Sequence, residues 1–275
     1  MGAGKGGGGA SGGVPSIEKK INAANPVLEA FGNAKTRNND NSSRFGKYLK
    51  VFLDENGAVT GAEAKHYLLE KVRVVDHDRN ERNYHIFYML LAPLPADGSA
   101  TNPYDVDQLG LKRDAQKYRY LQHDAALATD RKDFTDFQKM QNAFKTLGFS
   151  PDDVDSIFRV LAGILHCGNM TFKGEAKATI DSPEERRLAA QCFGVTADAL
   201  EKGVCEKLLS GTYYARPQAQ AEAARDTLCK YLYVATRVLL CTSPCMDPEY
   251  TAKLWQGFTQ AYFARSSVIR CAVCN

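Results

Sequence analysis

Between residues 25 and 47 the chain gathers Asn25, Asn33, Thr36, Asn38, Asn39, Asp40, Asn41, Ser42 and Ser43, and then Arg44. Short amides and hydroxyls concentrated this way can take phosphate oxygens and complete the water shell of Mg²⁺. The same residue types also make ordinary solvated turns, because Asn and Ser stabilise loop backbone locally. On composition alone the turn is the stronger reading. Other chemistry has less to stand on. His66, His77, His85, His123 and His166 form neither an HExxH pair nor an evident metal cluster, and no serine carries a nucleophile-elbow pattern.

The cysteines are equally quiet. Eight of them, at 167, 192, 205, 229, 241, 245, 271 and 274, fall in the second half without a framework spacing. In a reducing compartment such thiols stay free. Cys271 and Cys274 form a CxxC, but Cys241 and Cys245 are spaced more loosely than a zinc knuckle, so free thiols are expected there too.

The polar stretch needs elements to hold it. Ser16 is placed to cap a short helix, and Asn25 with Pro26 would start a second that stops near Gly32. Residues 47–53 alternate as a strand, Asp54-Glu55-Asn56-Gly57 is a hairpin turn, and residues 58–62 return alongside. Val72, Val74 and Val75 suit another strand over 72–75. A helical pattern follows over 84–91. Phe134, Phe137, Met140, Phe144 and Leu147 recur at helical spacing before Gly148. Ser150-Pro151-Asp152-Asp153 reads as a helix start, as do Ser182-Pro183 and Thr196, and a longer helix runs from 219 toward 240. The chain therefore reads as mainly helical with a small sheet near its start.

Composition sets the outer bounds. The 275 residues are 44% hydrophobic, enough for one large domain or two modest ones, and the net charge of +3 argues against nucleic acid. No run reaches the roughly 18 apolar residues of a transmembrane helix, so a cytosolic compartment is expected. Eight glycines among the first thirteen residues predict a flexible lead rather than a secretory signal.

The order of the polar residues is more informative than their abundance. NPVLEAFGNAKT (25–36), followed by NDNSSRFGK (39–47), resembles the switch I region of myosin motor domains almost residue for residue. YLLEKVRVV (67–75), ERNYHIFYMLLA (81–92), FRVLAGILHCGNMTF (158–172) and, more weakly, ARDTLCKYLY (224–233) resemble further strings of that family. The resemblance spans about residues 15–235. It implies an α/β, mainly helical fold: a partial P-loop-NTPase-like myosin head with an incomplete central sheet. A disordered Gly-rich lead would occupy 1–14, the partial motor domain 15–235, and a divergent Cys-rich tail 236–275.

By position, the resemblance implies Mg-ATP as the ligand. Asn39 would contact nucleotide phosphate, Ser42 would face the γ-phosphate and the attacking water, and Ser43 would ligate Mg²⁺. Arg44 would pair with a switch II glutamate, a closing step in a phosphoryl-transfer site that works by positioning and charge neutralisation. Asp40 stands where the family often has Asn and adds negative charge beside the phosphates. The start, Met1-Gly2-Ala3-Gly4-Lys5-Gly6, resembles the end of the family's GESGAGKT. On that resemblance Lys5 would be either a P-loop remnant or a coincidence in the Gly-rich lead, since the first glycine is missing and Gly6 replaces the Thr. No DIxGFE switch II string occurs, so Arg44 is expected to lack its glutamate.

Actin filaments are the implied partner, with contacts near 173–187 and 210–218. The second of these loops is short, and Lys173, Lys177, Arg186 and Arg187 are mixed with acids. The expectation is an actin-based cytoskeletal motor present as a truncated head that does not turn over ATP alone. The alternative is a non-catalytic partner-binding remnant or an incomplete gene model.

Overall fold

A computed structural model describes residues 17–94, 106–122 and 131–242. The central element is helix α4 (Pro151–Asn169), with α2 (His85–Leu91), α3 (Asp133–Leu147), α5 (Pro183–Phe193) and α6 (Ala197–Cys205) among its companions. Two long helices, α1 (Ile17–Gly32) and α7 (Gln218–Thr242), complete the helical body.

α4 begins where the sequence places it. The Ser150 hydroxyl accepts from Asp153 N at 3.1 Å, and Asp153 Oδ2 accepts from Ser150 N at 3.0 Å, with Pro151 opening the first turn. That reciprocal box satisfies two backbone donors the helix cannot. Val154, Ile157, Phe158, Leu161 and Leu165 are buried on it as expected. The preceding helix α3 stops at Gly148, whose φ of 86° lies in the left-handed region that glycine adopts without strain.

Two local expectations fail. Pro26 does not divide the N-terminal helix, which runs unbroken as α1 from Ile17 to Gly32. A proline inside a helix costs about 3 kcal/mol. Ala24, Val27, Leu28 and Phe31 are buried on both sides of it, and that burial outweighs the local penalty. Residues 72–75 are not a strand but part of the 3₁₀ turn Lys71–Val74. The valines carry β propensity, yet among the described residues no neighbouring strand pairs with them. The buried Arg73 instead clamps the turn through Glu70, Glu81 and the Arg82 carbonyl.

The sheet content is small and divided. Among the described residues the strands form four separate antiparallel pairs: β1 (Asn33–Ala34) with β2 (Ser42–Ser43), β3 (Gly46–Leu53) with β4 (Val59–Tyr67), β5 (Phe172–Lys173) with β6 (Thr179–Ile180), and β7 (Glu206–Leu209) with β8 (Thr212–Ala215). The β3–β4 hairpin turns at the expected Asp54 to Gly57 segment, and β4 extends further than the sequence suggests. All eight β3 residues are exposed.

α7 ties the body to the N-terminal segment. Tyr233 is fully buried, stacks on Tyr84 at 5.0 Å and donates its hydroxyl to the Phe31 carbonyl at 3.0 Å. Arg225, also fully buried, donates to the Met170 carbonyl at 2.8 Å and pairs with Asp226. His166 joins three segments, facing Glu185 at 2.8 Å and the Leu109 carbonyl at 2.9 Å. Cys167, Cys192, Cys205 and Cys229 are free thiols. Cys245, Cys271, Cys274 and the side chain of Cys241 lie outside the described residues, as does the whole of the glycine-rich lead.

Candidate functional site

The polar stretch is built as a small closed loop. α1 delivers the chain at Gly32, whose carbonyl accepts from Arg44 N at 2.8 Å. A Cβ on Gly32 would fall 2.3 Å from the Phe45 ring, so this closure requires glycine. Asn33 then pairs with Ser43 and Ala34 with Ser42, which ties off residues 35–41 as a tight excursion.

Side chains fill that excursion with local bonds. The Asn39 carbonyl accepts from Thr36 N at 2.9 Å, and Asn39 Oδ1 accepts from Asn41 N at 2.7 Å. Lys35 Nζ pairs with Asp40 at 2.7 Å. The charge that Asp40 adds is thus neutralised within the loop.

Asn41 is the pin. Its Oδ1 accepts from Asn33 Nδ2 at 3.2 Å and from His85 Nε2 at 3.1 Å, and its Nδ2 donates to Glu29 at 3.2 Å. His85 is fully buried. Its burial, reinforced by the nearby Arg131 and Arg82 charges, pushes its pKa down to about 2. The imidazole is therefore neutral and presents Nε2–H to Asn41. The Arg82 N–H holds the Lys35 carbonyl at 3.0 Å from behind.

Arg44 finds a carboxylate after all. Its Nε pairs with Glu70 Oε2 at 2.6 Å, and Glu70 also takes Arg73 Nε at 2.8 Å. Burial alone would raise the Glu70 carboxyl, but hydrogen bonds from Arg73 and Arg44 outweigh it and hold the pKa below the usual range. The expectation that Arg44 lacks a glutamate is wrong for a physical reason. The turn at 71–74 folds Glu70 back toward β2, and its N–H bonds the Arg44 carbonyl at 3.0 Å. Arg44 Nη1 donates to Ser42 Oγ at 3.2 Å.

The structure thus brings Ser42, Ser43 and Arg44 together, with Asn39 at the loop's exposed turn. Ser42 is half-buried and held by Arg44. Ser43 is exposed, and its hydroxyl has no partner among the described residues. Lys5 lies outside the described residues. Asn41, His85 and Glu70 are the site residues that sequence reasoning missed. Glu70 and His85 sit inside the quoted strings 67–75 and 81–92, but only the folded chain reveals which loop they reach.

The sequence model of the family described as Myosin head (motor domain) matches residues 7–240. The chain belongs to the myosin head family. It is 40% identical over 244 residues to unconventional myosin-XV of Homo sapiens, covering 83% of this chain and 7% of that protein. With unconventional myosin-Ia of Gallus gallus it shares 37% identity over 230 residues, 80% of this chain and 21% of the relative. The Myosin-K heavy chain of Dictyostelium discoideum is 38% identical over 227 residues, 80% of this chain and 26% of its own length. The chain therefore spans about a quarter or less of these myosins. The loop at 35–43 stands in the matched region.

Other expected features of the myosin surface are less distinct. Lys173 pairs with Asp181 at 2.6 Å, Arg187 with Glu184 at 2.7 Å, and Arg186 with Glu201. Three of the four basic residues placed near an actin contact are thus engaged by this chain's own acids. Among the described residues no group of three or more His, Cys, Asp or Glu could hold a metal, and no helix is long and apolar enough to cross a membrane.

Proposed function

We propose that this chain contributes the switch I side of a P-loop-NTPase-like site in an actin-based, cytoskeletal motor of the myosin family, acting in the cytoplasm. In this reading residues 15–235 are the motor segment, preceded by the lead 1–14 and followed by the tail 236–275. One observation carries it: two adjacent serines sit at the mouth of a loop pinned from behind, one hydroxyl held by Arg44 and the next open to solvent.

The residues fit Mg-ATP. Ser43 offers the free hydroxyl that a hydrated Mg²⁺ needs from protein, and Mg²⁺ keeps most of its other positions for water and phosphate. When bound, the ion would neutralise phosphate charge. Ser42 and Asn39 would hold phosphate oxygens, with Arg44 orienting the Ser42 hydroxyl. Lys35 removes the objection raised by Asp40. Lys5 would add a cation only if the lead reached the site.

Hydrolysis by this chain alone is not expected. The Arg44 guanidinium already has its carboxylate, Glu70, so its closing contact is occupied in this arrangement. Actin binding rests on kinship, and the paired basic side chains near 173–187 lend it no separate support. The exposed β3–β4 hairpin fits the incomplete central sheet, since both strands offer an edge for further pairing.

The test is titration of the purified chain with a fluorescent ATP analogue, with and without Mg²⁺, beside Ser43→Ala. Saturable, Mg²⁺-dependent binding that Ser43→Ala abolishes, without turnover, is the expected result. A folded sample, judged by circular dichroism, that binds no nucleotide would overturn the proposal.

A further inference from the structure

The tip of the β3–β4 hairpin carries the one Asn-Gly pair in the sequence, Asn56-Gly57. Both residues are exposed. Asp54 holds the turn around them. Its Oδ1 accepts from Asn56 N at 2.9 Å and from Ala58 N at 2.8 Å, and its carbonyl accepts from Gly57 N at 3.0 Å. Asn56 contributes only its backbone N–H. Its side-chain carboxamide makes no hydrogen bond among the described residues.

A free carboxamide followed by glycine has a reaction open to it. The backbone nitrogen of the next residue can attack the side-chain Cγ and close a five-membered ring. A side chain on that next residue crowds the approach, and glycine has none. At Gly57 the space is open: no heavy atom lies within 4 Å of where a Cβ would stand.

Other asparagines show what protection looks like. Asn41 also precedes a small residue, Ser42, but its carboxamide is fixed at both ends by Asn33, His85 and Glu29. Asn83 is buried, with Nδ2 on the Val74 and Tyr120 carbonyls. Asn25 precedes Pro26, which has no N–H to lose.

We propose that Asn56 is a site of spontaneous covalent modification, at which the side-chain amide is lost through a succinimide formed with Gly57 N. Gly57 N gives up its proton and bonds to Asn56 Cγ, and the bond from Cγ to the side-chain nitrogen breaks with release of ammonia. Water then opens the ring. Opening at Cγ leaves an aspartate. Opening at the backbone carbonyl leaves an isoaspartate, whose chain runs through the former side chain and is longer by a methylene. Either product sets a carboxylate beside Asp54 and Glu55, and the longer backbone no longer fits the bonds that Asp54 makes across the turn. The bond from Gly57 N to the Asp54 carbonyl must open before attack, and an exposed turn opens by local fluctuation. The folded chain therefore reacts more slowly here than a short peptide does, yet ahead of its other asparagines.

Incubation of the full 275-residue chain at neutral and mildly alkaline pH, followed by tryptic mapping, tests this. Peptide 51–65 should gain about 1 Da, and fragmentation should place the change at residue 56 and show isoaspartate beside aspartate. The rate should rise about tenfold per pH unit, because the deprotonated amide is the attacking species. Asn56→Gln, an exposed change that would need a six-membered ring, should show no gain over the same period. In urea, where its three partners are lost, Asn41 should begin to react as well. An unmodified peptide 51–65 under conditions where the same peptide made synthetically does react overturns the inference. Aspartate without isoaspartate also overturns it, since that marks direct hydrolysis, as does a faster gain at Asn41 in the folded chain.

Discussion

At the scale of single residues, His85 links the site to pH. In the unfolded chain its imidazole titrates near the ordinary value of about 6.5. In the folded chain its pKa is pushed down to about 2 by burial and by Arg131 and Arg82. Between these values the unfolded chain holds a proton that the folded chain refuses. The stability conferred by the neutral imidazole is complete above about pH 6.5 and drains away as pH falls below it. Each pH unit of that window costs about 1.4 kcal/mol, so lowering pH from 7 to 5 should remove about 2 kcal/mol through this group. His85→Gln keeps a donor for Asn41 but does not titrate. Urea unfolding of both proteins at pH 7 and pH 5 should show a smaller acid loss in the variant, and equal losses would refute the assignment.

At the scale of elements, α4 offers the sharpest test of how local sequence sets structure. Ser150→Ala removes the hydroxyl that accepts from Asp153 N, which is one half of the capping box, and should cost about 1 kcal/mol in denaturant unfolding. An unchanged midpoint would mean that burial of the α4 stripe sets the helix start without its cap. The elements that could be read from sequence, α3, α4, α5, α6 and the β3–β4 turn, carry their own signals: Ser, Thr or Pro at the start, Gly at the stop, apolar residues at the right period. Those that could not be read are decided elsewhere in the chain. The continuity of α1 through Pro26 depends on burial of Val27 and Phe31, and Phe31 meets Tyr233 across 202 positions of sequence. The turn at 71–74 depends on the buried fork of Arg73. The site divides the same way. Ser42, Ser43 and Arg44 are legible because they are contiguous in a distinctive string, whereas Glu70 and His85 reach the loop from 26 and 44 residues away.

For the molecule as a whole, the unusual feature is where apolar surface remains. Tyr48 is 56% exposed, Leu53 61% and Tyr67 51%, all in the β3–β4 hairpin. Successive residues of a strand point to opposite faces, so Tyr48 and Phe52 put apolar surface on one side and Leu49, Val51 and Leu53 on the other. No third strand pairs with β3 or β4 among the described residues, which leaves backbone donors and acceptors along both edges. An apolar two-stranded ribbon with open edges is a template for strand addition, and charges on such a strand oppose it. The chain by itself should therefore self-associate through this hairpin. The triple variant Leu49→Lys, Val51→Thr, Leu53→Glu should shift the chain toward monomer in sedimentation velocity. Because all three side chains are exposed, its thermal midpoint should stay close to that of wild type. A wild-type chain that sediments as a monomer and melts in one sharp transition would show that the hairpin is no such template. Monomer gained only with a large fall in the melting midpoint would show instead that these side chains stabilise the fold.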